Sequence, residues 1–451
     1  MGASILPIAP NQPRRNRRTL VSLPILAAIV LLTFIQFSIP RIFTQNSFPS
    51  QRLSDFHLDR LKSGLEKCAE LKAPYVHYEF PISSTRTNPR WNPTSGQNGT
   101  VVLRNVTLFD GESFLNGSVD VVFARGTIKS ISPLSETAFE TEHAQIFDLG
   151  GSYVTPGLVD MHSHHLVSSW PGSSVADDAN EVNIAAFGPL TPFVRALDSI
   201  KPYDIATIII ASGGVTSSLI LPGSANIMGG EGFMVKNFMN GGEHGEDVVE
   251  ELLLEHGVPQ SSRRRYMKMA CGENPKRVYD HTRMGNAWIF RKHMSRAKEL
   301  MEKQDHWCLS AAAALESGDS NTIAALVKND SGKGNLPEEL ELDSSVAMLR
   351  GKIGVNIHCY EPEDFENMIL HSKEFGFRIQ AFHHALSAWK VPELIKDSGY
   401  NITIATFAEF GLYKQEGYEA NLWAGKILAK HGVPVAYKSV GEVLSCDRCS
   451  H

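Results

Sequence analysis

Pro156-Gly157-Leu158-Val159-Asp160-Met161-His162-Ser163-His164-His165 ends an apolar run that begins near Tyr153. In an extended chain alternate side chains share a face, so His162 and His164 point to one place. Neutral imidazole is a nitrogen donor suited to zinc and its neighbours, and a catalytic ion needs further ligands plus an open position for water. The pair therefore reads as half of a metal site. Two histidines this close also occur as hydrogen-bonded core residues. Their place favours the metal reading, because Pro156 and Gly157 break the chain just before an apolar strand whose C-terminal end carries them.

Beyond this strand the chain alternates apolar runs with helical patterns, which argues for parallel βα units. Seven more strands are expected, at Val215 to Leu221, Gly232 to Lys236, Tyr266 to Cys271, Lys352 to His358, Phe377 to His383, Asn401 to Phe407 and Val433 to Lys438. With Tyr153 to Met161 they make eight. Helices are expected over Met284 to Lys303 and after Pro362, with Gly376 as a stop. No Gly-rich nucleotide fingerprint follows any strand, so a closed barrel is preferred to an open doubly wound sheet. Function in such barrels collects at the C-terminal ends of strands. The fifth ends Asn356-Ile357-His358-Cys359-Tyr360 and the sixth Ala381-Phe382-His383-His384-Ala385-Leu386, so histidines stand where ligands are needed.

The opening phrase resembles the amidohydrolase superfamily, metal-dependent hydrolases built on a (β/α)8 barrel whose first strand ends in His-x-His. The resemblance runs from about Val101 to Ser439 and points to the imidazolonepropionase-like and N-acetylglucosamine-6-phosphate deacetylase-like branch. His384-Ala385-Leu386-Ser387-Ala388-Trp389-Lys390 is similar to the family's His-Ala/Gly-Thr-x-Ala-Tyr-Lys stretch. This implies His162, His164, His358 and His384 as ligands, with His383 as the alternative to His384. Relatives bridge two metals with a carbamylated lysine on the fourth strand or bind one through a carboxylate there; Lys268 and Glu273 hold those places. A surface salt bridge is the plain alternative for Glu273. Glu231 matches the third-strand glutamate that sugar deacetylases use. The glycines of Gly213-Gly214-Val215-Thr216 and Gly229-Gly230-Glu231-Gly232 fit family segments, and their roles read as conformational.

The chemistry implied is hydrolysis of a non-peptide C–N bond, in a cyclic amide or an N-acyl group, by water on a divalent ion, zinc by family, one ion or two. The family then places an Asp at the end of strand eight to move the proton. Here Ser439 is followed by Val440, and the remaining residues to His451 hold no barrel-like helix. The implied alternatives are a catalytically impaired barrel remnant, in a truncated or alternatively spliced product, and a carbohydrate deacetylase or esterase. Asp447 lies too far along to substitute, and Cys446-Asp447-Arg448-Cys449 is one Cys-x-x-Cys without a second pair, a weak metal signal.

A chain of 451 residues accommodates a barrel of about 250 residues and a smaller domain. The net charge of −6 gives no basic footprint for nucleic acid, so a small molecule is the expected partner; oligomeric state is not legible. Residues 19–39 carry no charge and match the roughly 20 residues of a spanning helix. Arg14, Arg15, Arg17 and Arg18 precede them, which leaves the N-terminus cytoplasmic and the bulk lumenal or extracellular. The competing reading is a cleaved signal peptide. Glycosylation triplets at Asn98, Asn105, Asn116, Asn329 and Asn401 fit that side. The six cysteines imply no disulfide framework. The expected order is a basic tail (1–18), an anchor (19–39), a stalk and linker (40–99), part of an antiparallel β-sandwich (100–150), the barrel (151–439) and an aberrant tail (440–451).

Overall fold

The computed structural model describes residues 55–79, 88, 99–133, 144–238, 248–327, 335–407 and 414–438. The expected anchor, the basic tail and the segment from Ser439 onward lie outside them. Among the described residues no helix is long and apolar enough to cross a membrane.

Helix α1 (Asp55–Lys72) comes first among the described residues, within the stretch expected as a stalk. Its apolar face, with Leu61 and Cys68 buried, packs on Trp307, Cys308 and Ala311 of a later long helix. Cys68 and Cys308 are joined in a disulfide, so this helix docks on the barrel unit rather than standing off from it.

Strands β1 (Thr100–Leu108), β2 (Val119–Ala124), β3 (Thr127–Pro133), β4 (Ala144–Asp148) and β5 (Tyr153–Val154) make the small sheet. The order is β3-β2-β1-β4, with β5 also on β1. The expected antiparallel sheet is a mixed one: β1–β2 and β2–β3 are antiparallel, whereas β4 and β5 run parallel to β1. The strand expected over Tyr153 to Met161 is split at Pro156-Gly157. Its first residues belong to this sheet and its second part opens the barrel. Gly157 sits at the break, where a Cβ would lie 2.1 Å from the Thr216 hydroxyl.

The barrel sheet runs in sequence order through β6 (Leu158–Ser163), β7 (Val215–Ile220), β8 (Met228–Lys236), β9 (Arg265–Ala270), β10 (Ile353–Cys359), β11 (Ile379–His384), β12 (Thr403–Thr406) and β13 (Val435–Tyr437). The end strands β13 and β6 lie against each other, so the sheet curls into a nearly closed barrel. All eight expected strands are present, but the third is reversed: β8 is antiparallel to both β7 and β9. Only residues 221–227 separate β7 from β8, and a parallel crossover takes about a dozen residues or more. The close approach is built into Gly232, whose added Cβ would sit 2.4 Å from the Ile220 carbonyl oxygen.

The helices of the outer layer carry the expected signals. Helix α2 (Glu273–Tyr279) follows β9 directly. Helix α3 (Arg283–Ser317) extends well past the expected Lys303; Thr282 caps its start by accepting from the Gly285 N–H, and Gly318 ends it at φ 68°. Helix α4 (Asp343–Leu349) precedes β10. Helix α5 (Pro362–Phe375) starts on Pro362 and stops at Gly376, φ 83°. Phe290 and Met294 of α3 join Val355, Ile357, Phe365 and Phe382 in the main core between strands and helices.

The cysteine expectation is corrected by a second bridge. Cys271 and Cys359, at the C-terminal ends of β9 and β10, are disulfide-bonded with Cα atoms 5.2 Å apart. Pairing of β9 with β10 brings residues 88 positions apart side by side, which linear spacing does not reveal.

Candidate metal centre

The histidines converge at the C-terminal ends of β6, β10 and β11. His162 and His164 present their Nε2 atoms to each other at 3.1 Å. The ring of His162 is 5.0 Å from that of His383 and 4.8 Å from that of His384, centroid to centroid. His358 and His384 are closer still, at 4.3 Å. Three strand ends expected to cooperate thus supply one buried imidazole cluster.

Consecutive residues of a strand face opposite ways, so His383 and His384 should not both reach the site. They do because His384 and Ala385 leave the strand in the left-handed region, with φ 63° and 48°. The Ala385 N–H then donates to the Cys359 and His383 carbonyls, which ties the turn to the end of β10. Such backbone strain in residues other than glycine persists only where the surroundings fix it.

Hydrogen bonding sets the tautomers. The Leu221 carbonyl can only accept, so His164 donates from Nδ1 (2.8 Å) and carries a lone pair on Nε2. Asn356 Nδ2 donates to the Gly354 carbonyl, which turns its Oδ1 toward His383 Nε2 at 2.9 Å. His383 Nε2 is thus the donor and its Nδ1 an acceptor. His162 Nδ1, 3.0 Å away, donates to it. That relay leaves His162 Nε2 with a lone pair aimed at the lone pair of His164 Nε2.

Two lone pairs at 3.1 Å repel unless a cation lies between them. A proton is disfavoured: burial holds His164 down at about 3 and His162 well below the ordinary histidine range, with Lys438 and Lys268 adding to the effect. Two nitrogens on one zinc at bonds of about 2.0–2.1 Å stand about 3.3 Å apart at the tetrahedral angle, so the pair fits a divalent ion. Among the described residues no group of three or more His, Cys, Asp or Glu is placed so as to hold a metal ion.

The remaining candidates divide. Among the described residues, the buried His358 Nδ1 and Asn274 Oδ1 have no hydrogen-bond partner. Asn274 Nδ2 lies 3.2 Å from His358 Nε2 and 2.7 Å from the Ser224 hydroxyl. With the Asn274 amide turned over, Oδ1 accepts from both and His358 Nδ1 carries a lone pair. His384 Nδ1 instead accepts from the Lys438 ammonium at 2.9 Å, which leaves the hydrogen of a neutral ring on Nε2.

Lys268 is fully buried and donates to the Pro222 carbonyl at 2.9 Å. Glu273 heads α2; its N–H donates to Glu416, and one carboxylate oxygen is buried without a partner among the described residues. Its neighbour Asn274, not Glu273, touches His358. Glu231 pairs with Arg265 at 2.5 Å and accepts from the Ser344 hydroxyl, near the N-terminal end of β9, so its carboxylate is engaged away from the histidines.

Asn356, Asn274 and Lys438 escaped the sequence reading. Asn356 was findable, two residues before His358 on the same strand face. Lys438 carried no motif; the strand order β11-β12-β13 brings the end of β13 to His384.

No family model matches the chain. It is 37% identical over 414 residues to the amidohydrolase tasK of Hapsidospora irregularis, an overlap of 86% of this chain and 40% of that protein. The chain thus spans less than half the length of this curated relative. An amidohydrolase structure from Thermotoga maritima MSB8 superimposes with a TM-score of 0.59 at 28% identity, covering 75% of this chain and 78% of the other. The nearly closed eight-stranded sheet and the structural likeness define a TIM-type α/β fold of the amidohydrolase kind. The chain belongs to the amidohydrolase superfamily.

Proposed function

We propose that this chain is a hydrolase of amide-type, non-peptide C–N bonds in a small molecule, working at a divalent ion held by His162, His164 and His358. The carrying observation is the pair of opposed Nε2 lone pairs on His162 and His164, fixed by bonds to the Leu221 carbonyl and, through His383, to Asn356. When bound, the ion supplies a water ionised near neutral pH and polarises the scissile carbonyl, with zinc favoured by the all-nitrogen donor set. Lys268, as a carbamate, would add a bridging anion and admit a second ion.

The chain's own groups do the positioning. His383 and Asn356 hold the His162 tautomer, and the buried rings exclude bulk water. Lys438 keeps His384 in the Nε2–H tautomer, a donor suited to a substrate oxygen. The test is metal content of the purified full chain beside chelator-sensitive hydrolysis of cyclic and N-acyl amides. His162→Ala should abolish both; amide hydrolysis unaffected by chelators would sink the reading.

A second reading, an impaired barrel that binds but turns over slowly, is favoured by Val440 in the place of the family's proton-moving Asp. The carbohydrate deacetylase alternative loses its particular support, because Glu231 is held by Arg265 and Ser344.

The anchor at 19–39 with a lumenal or extracellular barrel is also proposed. Disulfides persist in oxidising compartments, and Cys68–Cys308 and Cys271–Cys359 fit that side. Asn116 and Asn401 are exposed, as glycan acceptors must be. Glycosidase-sensitive mass on the membrane-extracted protein supports this placement; free thiols at all four cysteines oppose it.

A further inference from the structure

The β7–β8 connection, residues 221–227, meets the histidine cluster at three points. The Leu221 carbonyl accepts from His164, the Pro222 carbonyl accepts from Lys268, and the Ser224 hydroxyl bonds the Asn274 amide, which in turn bonds His358. Whatever holds this loop therefore sets the orientation of imidazoles at two strand ends. We propose that Asn226, through bonds to two other segments of the chain, is the positioning residue that holds it. This role rests on the hydrolytic reading of the cluster and concerns its support, not its chemistry.

Asn226 is 1% exposed, and its partners fix which way the amide faces. Nδ2 lies 2.8 Å from the Glu181 carbonyl, which only accepts, so this edge of the amide is the donor. The other Nδ2 hydrogen goes to the Tyr279 hydroxyl, also at 2.8 Å, and the Tyr279 O–H turns to the same Glu181 carbonyl at 3.5 Å. One side chain thus joins three pieces of chain: its own loop, the β6–β7 connection through Glu181, and the last residue of α2 through Tyr279. The first joint is reinforced by Gly223, whose N–H donates to the Ala179 carbonyl at 2.7 Å, and by the Ala225 N–H, which donates to Asn180 Oδ1 at 3.0 Å. The second joint reaches the cluster through the helix. Glu416 accepts from the Glu273 N–H at the start of α2 and Asn226 holds its end, so Asn274 is kept where its amide meets both Ser224 and His358.

Burial gives these bonds their weight. Leucine at position 226, of similar volume, would leave the Glu181 carbonyl and the Tyr279 hydroxyl without the donor they now share, and a buried polar group stripped of its partner favours local rearrangement. The loop is short, and its first four residues make the contacts to His164, Lys268 and Asn274, so a shift at 226 is passed directly to them. A displacement of about 1 Å ends a hydrogen bond that starts at 2.8 Å, as that of His164 to Leu221 does. His164 would then lose the acceptor that keeps its hydrogen on Nδ1 and its lone pair on Nε2.

Two measurements on the full chain test this. Nitrogen-15 spectra of the metal-free, histidine-labelled protein at neutral pH report the His164 tautomer, with His164→Gln to assign the signals. Wild type should hold the hydrogen on Nδ1, and Asn226→Leu should give shifts averaged over both tautomers. His293→Gln, a buried change away from the centre, should leave them as in wild type. Zinc affinity, by competition with a chromophoric chelator, should fall about ten-fold or more in Asn226→Leu. It should fall by a smaller factor in Tyr279→Phe, which keeps the ring and loses one bond, and stay unchanged in His293→Gln. A His164 tautomer unaltered by Asn226→Leu overturns the proposal, as does zinc affinity that falls no further than in His293→Gln. Wild-type protein that takes up no zinc defeats the hydrolytic reading instead, and the tautomer spectra still decide the role of Asn226. Tyr279→Phe carries both measurements, by the same criteria, if Asn226→Leu does not fold.

Discussion

At the scale of single residues, the centre depends on which nitrogen of each imidazole carries hydrogen. Asn356 acts at a distance: its Oδ1 fixes His383, and His383 fixes His162. Asn356→Leu should therefore lower metal affinity about 10–100-fold without removing a ligand, read by competition with a chromophoric chelator. A fall no larger than that of an exposed control substitution would show that the relay does not matter. The strand-eight departure makes its own prediction. Val440→Asp should raise amide turnover, by about 10²–10⁴-fold if that carboxylate supplies the missing proton transfer. An unchanged kcat would place the deficit elsewhere.

At the scale of elements, the reversed β8 rests on Gly232 against the Ile220 carbonyl, with backbone rather than a yielding side chain as the neighbour. Gly232→Ala should destabilise the fold by about 1–3 kcal/mol, seen as a lowered urea midpoint. The docked α1 rests on Cys68–Cys308, which closes 240 residues of chain. Cys68→Ser with Cys308→Ser should cost about 2–5 kcal/mol, and proteolysis should then release α1 first. The eight strands were legible because apolar runs bounded by turn residues repeat along the chain. The direction of β8 was inferable only from the length of 221–227, a constraint on connection rather than on pattern. The missed β4 has no buried residue, so it lacks the burial contrast that marks strands.

At the scale of the whole molecule, buried neutral histidines govern the response to acid. His293 lies away from the metal centre, bonded to the Ser345 hydroxyl, and burial lowers its pKa to about 4. Between that value and about 6.5 the unfolded chain binds the extra proton. Stability should therefore fall on acidification through this window, by up to about 1.4 kcal/mol per pH unit for this group. His293→Gln should flatten the pH dependence of the urea midpoint between pH 4 and 6.5, whatever it does to stability at pH 7. An unaltered slope would mean that His293 is not buried in the neutral form.

The linear sequence by itself determined the barrel, the His162–His164 pair and the involvement of His358 and strand six. These follow from periodicity and from residues a few positions apart, which local geometry places on one face. Only the tertiary structure decided the rest. Lys438 reaches His384, Asn274 replaces Glu273 beside His358, Glu231 is drawn off to Arg265, and the cysteines find partners on a neighbouring helix and a neighbouring strand. Each of those contacts joins positions far apart in the chain, and their distances are set by how the sheet curls and how helices dock, which no local pattern encodes.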